Sequence, residues 1–137
     1  MNSKMITYLT WVARILAAVI MIQTLYFKFT GAEESIYIFT TVGMEPWGRI
    51  GVGVMELIAS LLIIFPATSW IGAGIAFGLM VGAMGMHLTI LGIEVQSDGG
   101  YLFFLALIVA VCSAFVLWMS KELVLGFISK VLGKKST

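Results

Sequence analysis

This chain of 137 residues is 61% apolar and 11% charged, less than half the charge of a soluble domain, in which about a quarter of residues are ionisable. A mean hydropathy of +1.08 and an uncharged run over residues 57–93 exclude a fold that faces water on all sides. The net charge of +1 gives no bulk electrostatic reason for nucleic acid as a partner, and the single Cys112 excludes an internal disulfide, a Cys-x-x-Cys redox pair and a thiolate metal cage.

In chain order, the first membrane span is predicted over residues 5–27, closed by Lys28. Lys4 followed by an apolar run has the outline of a signal peptide. Arg14 interrupts that run and no small-x-small cleavage site follows, so a retained helix is expected. In the loop beyond it, Glu33-Glu34-Ser35 opens a stretch with Ile36 and Phe39 one turn apart. That predicts a short interfacial helix beside the turn Met44-Glu45-Pro46-Trp47. The second span covers 49–65 and stops at Pro66, which cannot continue a helix ladder. A tight turn, Pro66-Ala67-Thr68-Ser69, leads into the third span over 70–91. After a polar, glycine-ended loop, the fourth span runs over 101–119.

Residues 121–135 carry Leu123, Val124, Phe127, Ile128, Val131 and Leu132 on one helical face, with Lys121, Lys130, Lys134 and Lys135 on or near the other. This is the pattern of a basic amphipathic helix lying on a membrane surface. Short links make neighbouring spans antiparallel. The expected fold is therefore all-α: a single transmembrane domain over 1–137, built as an up-down-up-down four-helix bundle. Lys4 and the four C-terminal lysines outweigh Lys28 and Arg49 on the other side, so both termini are expected in the cytoplasm, in a bacterial cytoplasmic membrane.

Ionisable groups inside a span cost about 3 kcal/mol or more and usually face the protein interior. Arg14, Glu56 and His87 are such groups, with Lys28 at a helix end. At about 1.5 Å per residue, Arg14 and Glu56 both come to lie about 12 to 14 Å above the cytoplasmic edge. An Arg14–Glu56 ion pair is therefore predicted, and its plainest role is to fix which helix neighbours which. His87 and Gln23 reach a common level in the outer half, although helical phase sets Gln23 opposite Arg14. The inferred feature is an outer-half cavity with Glu56 toward its floor and Lys28 and His87 toward its mouth. For Lys28 alone, snorkelling to the interface is the simpler expectation. No nucleophile arrangement for catalysis is recognisable around Ser60, His87 and the carboxylates.

The third helix also carries Gly74, Gly78 and Gly82 at small-xxx-small spacing, with Gly85 on the same side. His87 points about 170° away from this stripe. With His87 inside the bundle, the glycines look outward toward a second copy or a larger membrane protein.

The Tyr26-Phe27-Lys28-Phe29-Thr30-Gly31 segment, Gly53-Val54-Met55-Glu56, Phe65-Pro66 and Met86-His87-Leu88, in that order and spacing, resemble the DoxX-like membrane proteins over about residues 7–120. The resemblance implies a four-helix bundle and points again to Lys28, Glu56 and His87. It also implies divergent functions: sulfur-compound oxidation with electrons passed to quinone, protection against oxidative stress, and, in a distant animal relative, assembly of a receptor channel. Thiol chemistry is disfavoured here by the lone Cys112.

Three functions follow as expectations. The first is a binding or redox-accessory protein, surrounded by membrane lipids, whose cavity holds a quinone or lipid-like molecule. Protonatable groups on an apolar slot suit a quinone, because its reduction takes up protons. The second is an assembly factor or accessory subunit of a larger membrane protein. The third is a small proton-coupled transporter, disfavoured if Glu56 is neutralised by a fixed cation.

Overall fold

A computed structural model describes residues 2–133. Among the described residues there are six α-helices and one π-helical turn: α1 (Ser3–Thr30), α2 (Glu33–Thr41), α3 (Trp47–Ile64), α4 (Ser69–Met86) continued by the π turn His87–Leu91, α5 (Tyr101–Met119) and α6 (Lys121–Val131). Four stretches are long and apolar enough to cross a membrane: Ser3–Thr30, Trp47–Ile64, Ser69–Leu91 and Tyr101–Met119. The protein is an integral membrane four-helix bundle. Going round it, α1 touches α3, α3 touches α4, α4 touches α5, and α5 returns to α1.

Local chemistry sets the helix ends. The Asn2 side chain accepts the Lys4 N–H at 2.9 Å and caps the start of α1. Gly31, left-handed at φ 68°, closes its end through the Phe27 carbonyl. Phe65 is extended, as a residue before proline prefers, and α3 stops there. The Thr68 hydroxyl then donates to the Leu62 carbonyl at 2.7 Å, occupying one of the acceptors that a helix end leaves free.

The core mixes alanines with larger side chains such as Met21, Ile63 and Val109. Ala17, Ala59, Ala73 and Ala76 are wholly buried, while Tyr8, Val19, Leu61 and Val111 point outward, as lipid-facing residues do. Lipid tails give helices no hydrophobic reason to associate, so close van der Waals packing must do it. Gly72 carries the tightest contact of this kind: a Cβ there would lie 2.5 Å from the Ile63 nitrogen and 2.7 Å from the Ala59 oxygen of α3. At Gly74, Gly78, Gly82 and Gly85 a Cβ would meet nothing within 4 Å. The predicted stripe does look outward, and a glycine outside it makes the intramolecular approach.

Both amphipathic segments are helical. α2 packs against α1, α3 and the π turn, across the end of the bundle where α1 finishes. α6 has no buried residue; Phe127 leans on Trp70 with ring centroids 5.3 Å apart, and the Lys121 ammonium sits 4.6 Å from the Trp118 ring centre. Lys134 and Lys135, included in the predicted surface helix, lie outside the described residues.

Candidate functional site

The predicted Arg14–Glu56 pair does not form. Arg14 is buried, donates to the Ile63 carbonyl at 2.7 Å and to the Ile64 carbonyl, and lies 3.9 Å from the Trp11 ring centre. It caps the C-terminus of α3, where a cation meets free carbonyls and the negative end of the helix dipole. The reason is directional. Helical side chains lean toward their own N-terminus, and α1 and α3 are antiparallel, so Arg14 and Glu56 lean toward opposite ends of the bundle.

The same lean brings Lys28 and Glu56 together. Lys28 reaches back along α1 and Glu56 reaches forward toward the start of α3, leaving Lys28 Nζ 3.2 Å from Glu56 Oε1. Thr24, one turn before Lys28, lies 3.1 Å from the other carboxylate oxygen, Oε2. Its single hydroxyl proton also has the Met21 carbonyl as an acceptor at 2.8 Å. The expectation that Lys28 snorkels to the interface is corrected: its side chain is only 16% exposed and Glu56's only 4%. Arg49 mirrors Arg14. It is clamped by both oxygens of Glu45 at 2.9 and 3.0 Å and donates to the Lys28 carbonyl, capping α1. Each of two adjacent helices thus carries an arginine that closes the other's C-terminus.

Lys28, Glu56, Thr24, Gln23 and His87 all line one cavity of about 490 Å³ in the half of the bundle nearer α2. Arg14 does not. The remaining walls are mainly apolar, with Met21, Leu79, Leu105 and Val109 among them. His87 opens the π turn, the kind of helix irregularity that accompanies functional sites. Its Nδ1 lies 2.9 Å from the Gly92 carbonyl, which can only accept, so Nδ1 carries the proton and a neutral ring keeps Nε2 as an acceptor. The ring is packed edge-on to Phe103, with 5.7 Å between centroids.

Sequence reasoning did not count α2 as part of this cavity, yet Glu34, Ser35 and Phe39 line it. The acidic opening of that helix was the available signal. Burial, and then the negative charge of Asp98, push the Glu34 carboxyl above its ordinary range. Asp98 is raised by burial but held lower overall by backbone N–H donors, among them Val95 at 3.0 Å and Gly100 at 2.8 Å. Of the predicted oligomer stripe, Gly78 and Gly82 also line the cavity, whereas Gly74 and Gly85 do not.

Residues 9–91 match the family model described as DoxX. The matched stretch contains Lys28, Glu56 and His87, and it ends before α5, short of the resemblance expected to about residue 120. No curated protein and no solved structure matches the chain.

Proposed function

Because the chain belongs to the DoxX family, whose model covers more than half of it, we propose that it is a binding or redox-accessory protein whose cavity holds a quinone or lipid-like molecule. One observation carries this reading. An ion pair, a hydroxyl and an imidazole converge on a cavity whose other walls are mainly apolar. Such a space suits a molecule with a small polar head and an apolar body. Lys28 would donate to a head-group carbonyl, and the Nε2 of His87 would accept from a head-group hydroxyl. Reduction of a quinone consumes two protons and two electrons; His87 would pass protons from water to the head group, Glu56 would hold the Lys28 ammonium against it, and a partner protein would supply the electrons. The basic Lys4, Lys121 and Lys130 lie at the opposite end of the bundle, which by the positive-inside rule supports a reading with the cavity in the outer half of a cytoplasmic membrane.

A proton-coupled transporter fits less well, because the Lys28 ammonium holds Glu56 as its fixed partner. Native mass spectrometry of the protein, extracted in mild detergent from its host membranes, tests the proposal. The expected result is an adduct with the mass of a quinone or lipid, lost in Glu56→Gln and His87→Ala variants that keep their thermal midpoint. An empty cavity together with stoichiometric co-purification of a larger membrane protein would replace this reading with the accessory-subunit one.

A further inference from the structure

A residue that both lines a cavity and is exposed within a membrane span marks where that cavity meets lipid. Gln23 and Phe27 on α1 and Tyr101 on α5 also meet this description, but each carries a long side chain, whereas two such positions on α4 have none. Gly78 and Gly82 line the cavity, are exposed, and lie inside the spanning stretch Ser69–Leu91. A Cβ at either would meet nothing within 4 Å.

Helical phase gives the position of this opening. Gly72 marks the side of α4 that touches α3. Leu79 and Ala83 fall within about 20° of Gly72, and Gly82 lies about 80° further round, away from the buried side of the helix. On the facing helix, Val52 and Glu56 line the same cavity. The two helices are therefore in backbone contact at Gly72 and have a cavity between them two to three turns further along. The end of the bundle offers a more obstructed route, since α2 lies across it with Ser35 and Phe39 buried.

Resting on the cavity reading above, we infer that the α3–α4 seam is a lateral portal, walled by the bare backbone of Gly78 and Gly82. Through it a molecule with a polar head and an apolar tail enters from the bilayer. The head reaches Lys28, Glu56 and His87, while the tail remains in the seam. A bulky side chain at either position would fill the passage that the bare backbone leaves open.

The test uses the full chain in lipid nanodiscs containing a benzoquinone with a decyl tail, with occupancy read by native mass spectrometry. Gly78→Leu and Gly82→Leu are expected to lower occupancy at least tenfold. Gly74→Leu and Gly85→Leu, equally open positions off the cavity wall, are expected to match the parent protein. All four variants should keep the parent thermal midpoint, since each added side chain points into open space. Equal loss in all four, accompanied by a change in oligomer size, would overturn the portal in favour of a packing stripe. Loss in Glu56→Gln with no change in Gly78→Leu or Gly82→Leu would overturn the portal and keep the cavity. No binding by the parent protein would overturn both.

Discussion

Arg14 shows how one side chain can be conspicuous in a sequence and still be assigned the wrong partner. Its burial among apolar residues was legible from the run it interrupts, and so was a structural role in fixing helix neighbours. Its partner was not, because depth along a span counted from a common edge carries neither the offset between helices nor the lean of a side chain. α1 has 28 residues and α3 has 18, so α1 overhangs its neighbour, and Arg14 meets the last residues of α3. From Ile63 back to Glu56 is seven residues, about 10 Å of helix rise. Arg14→Met is expected to leave the Ile63 and Ile64 carbonyls without their charged donor and to cost on the order of 2 kcal/mol. A detergent melt should show a lowered midpoint, while quinone or lipid occupancy per folded molecule stays unchanged. A loss of occupancy without loss of stability would place Arg14 in the site after all.

Helices and turns were the most legible scale, because their signals are local. Apolar runs, Pro66, and the acidic opening of α2 each report on a few neighbouring residues. The contact that sets two helices against each other is not local in this sense. Gly74, Gly78 and Gly82 stand at regular four-residue spacing on α4 with Gly85 on the same side, whereas Gly72, outside that spacing, makes the approach to α3. Gly72→Ala is expected to force backbone apart at Ile63 and to destabilise the bundle by about 1 to 3 kcal/mol. Gly53→Ala, whose new Cβ would first meet the Phe29 ring, should cost less because that ring can turn. Paired melts of the two variants check the order; equal midpoints would contradict the packing described. The π turn was likewise invisible, since residues 70–91 read as one continuous helix and a single wide turn barely alters the periodicity.

Across the whole molecule, charge is divided between the two ends. Lys4, Lys121 and Lys130 lie at one end with Glu122, while Glu33, Glu34, Glu45, Glu94 and Asp98 lie at the other with Lys28 and Arg49, and Glu34 among these acids lines the cavity mouth. Acidification should therefore act in two opposed steps at that mouth. The Glu34 carboxyl titrates above its ordinary range, so the folded state binds its proton more readily than the unfolded chain does. The cost of its charge is present at neutral pH and relieved as pH falls through that raised value. Asp98 titrates below its ordinary range. The stability from its backbone hydrogen bonds is present above that range and lost only as pH falls through the lowered value. A melting curve followed against pH should rise slightly under mild acid and fall under stronger acid, with the rise absent in Glu34→Gln. A rise that survives in Glu34→Gln would mean another group titrates there.

By itself the sequence determined the membrane class, the four spans with their turns and the two amphipathic helices. It also selected Lys28, Glu56 and His87, because hydropathy and helix punctuation are properties of adjacent residues. Only the tertiary structure decided which cation holds Glu56, which glycine joins α3 to α4, and that α2 contributes to the cavity. Those outcomes depend on the offset between antiparallel helices of unequal length and on the direction in which each side chain leans. Neither is written in the spacing along a single helix.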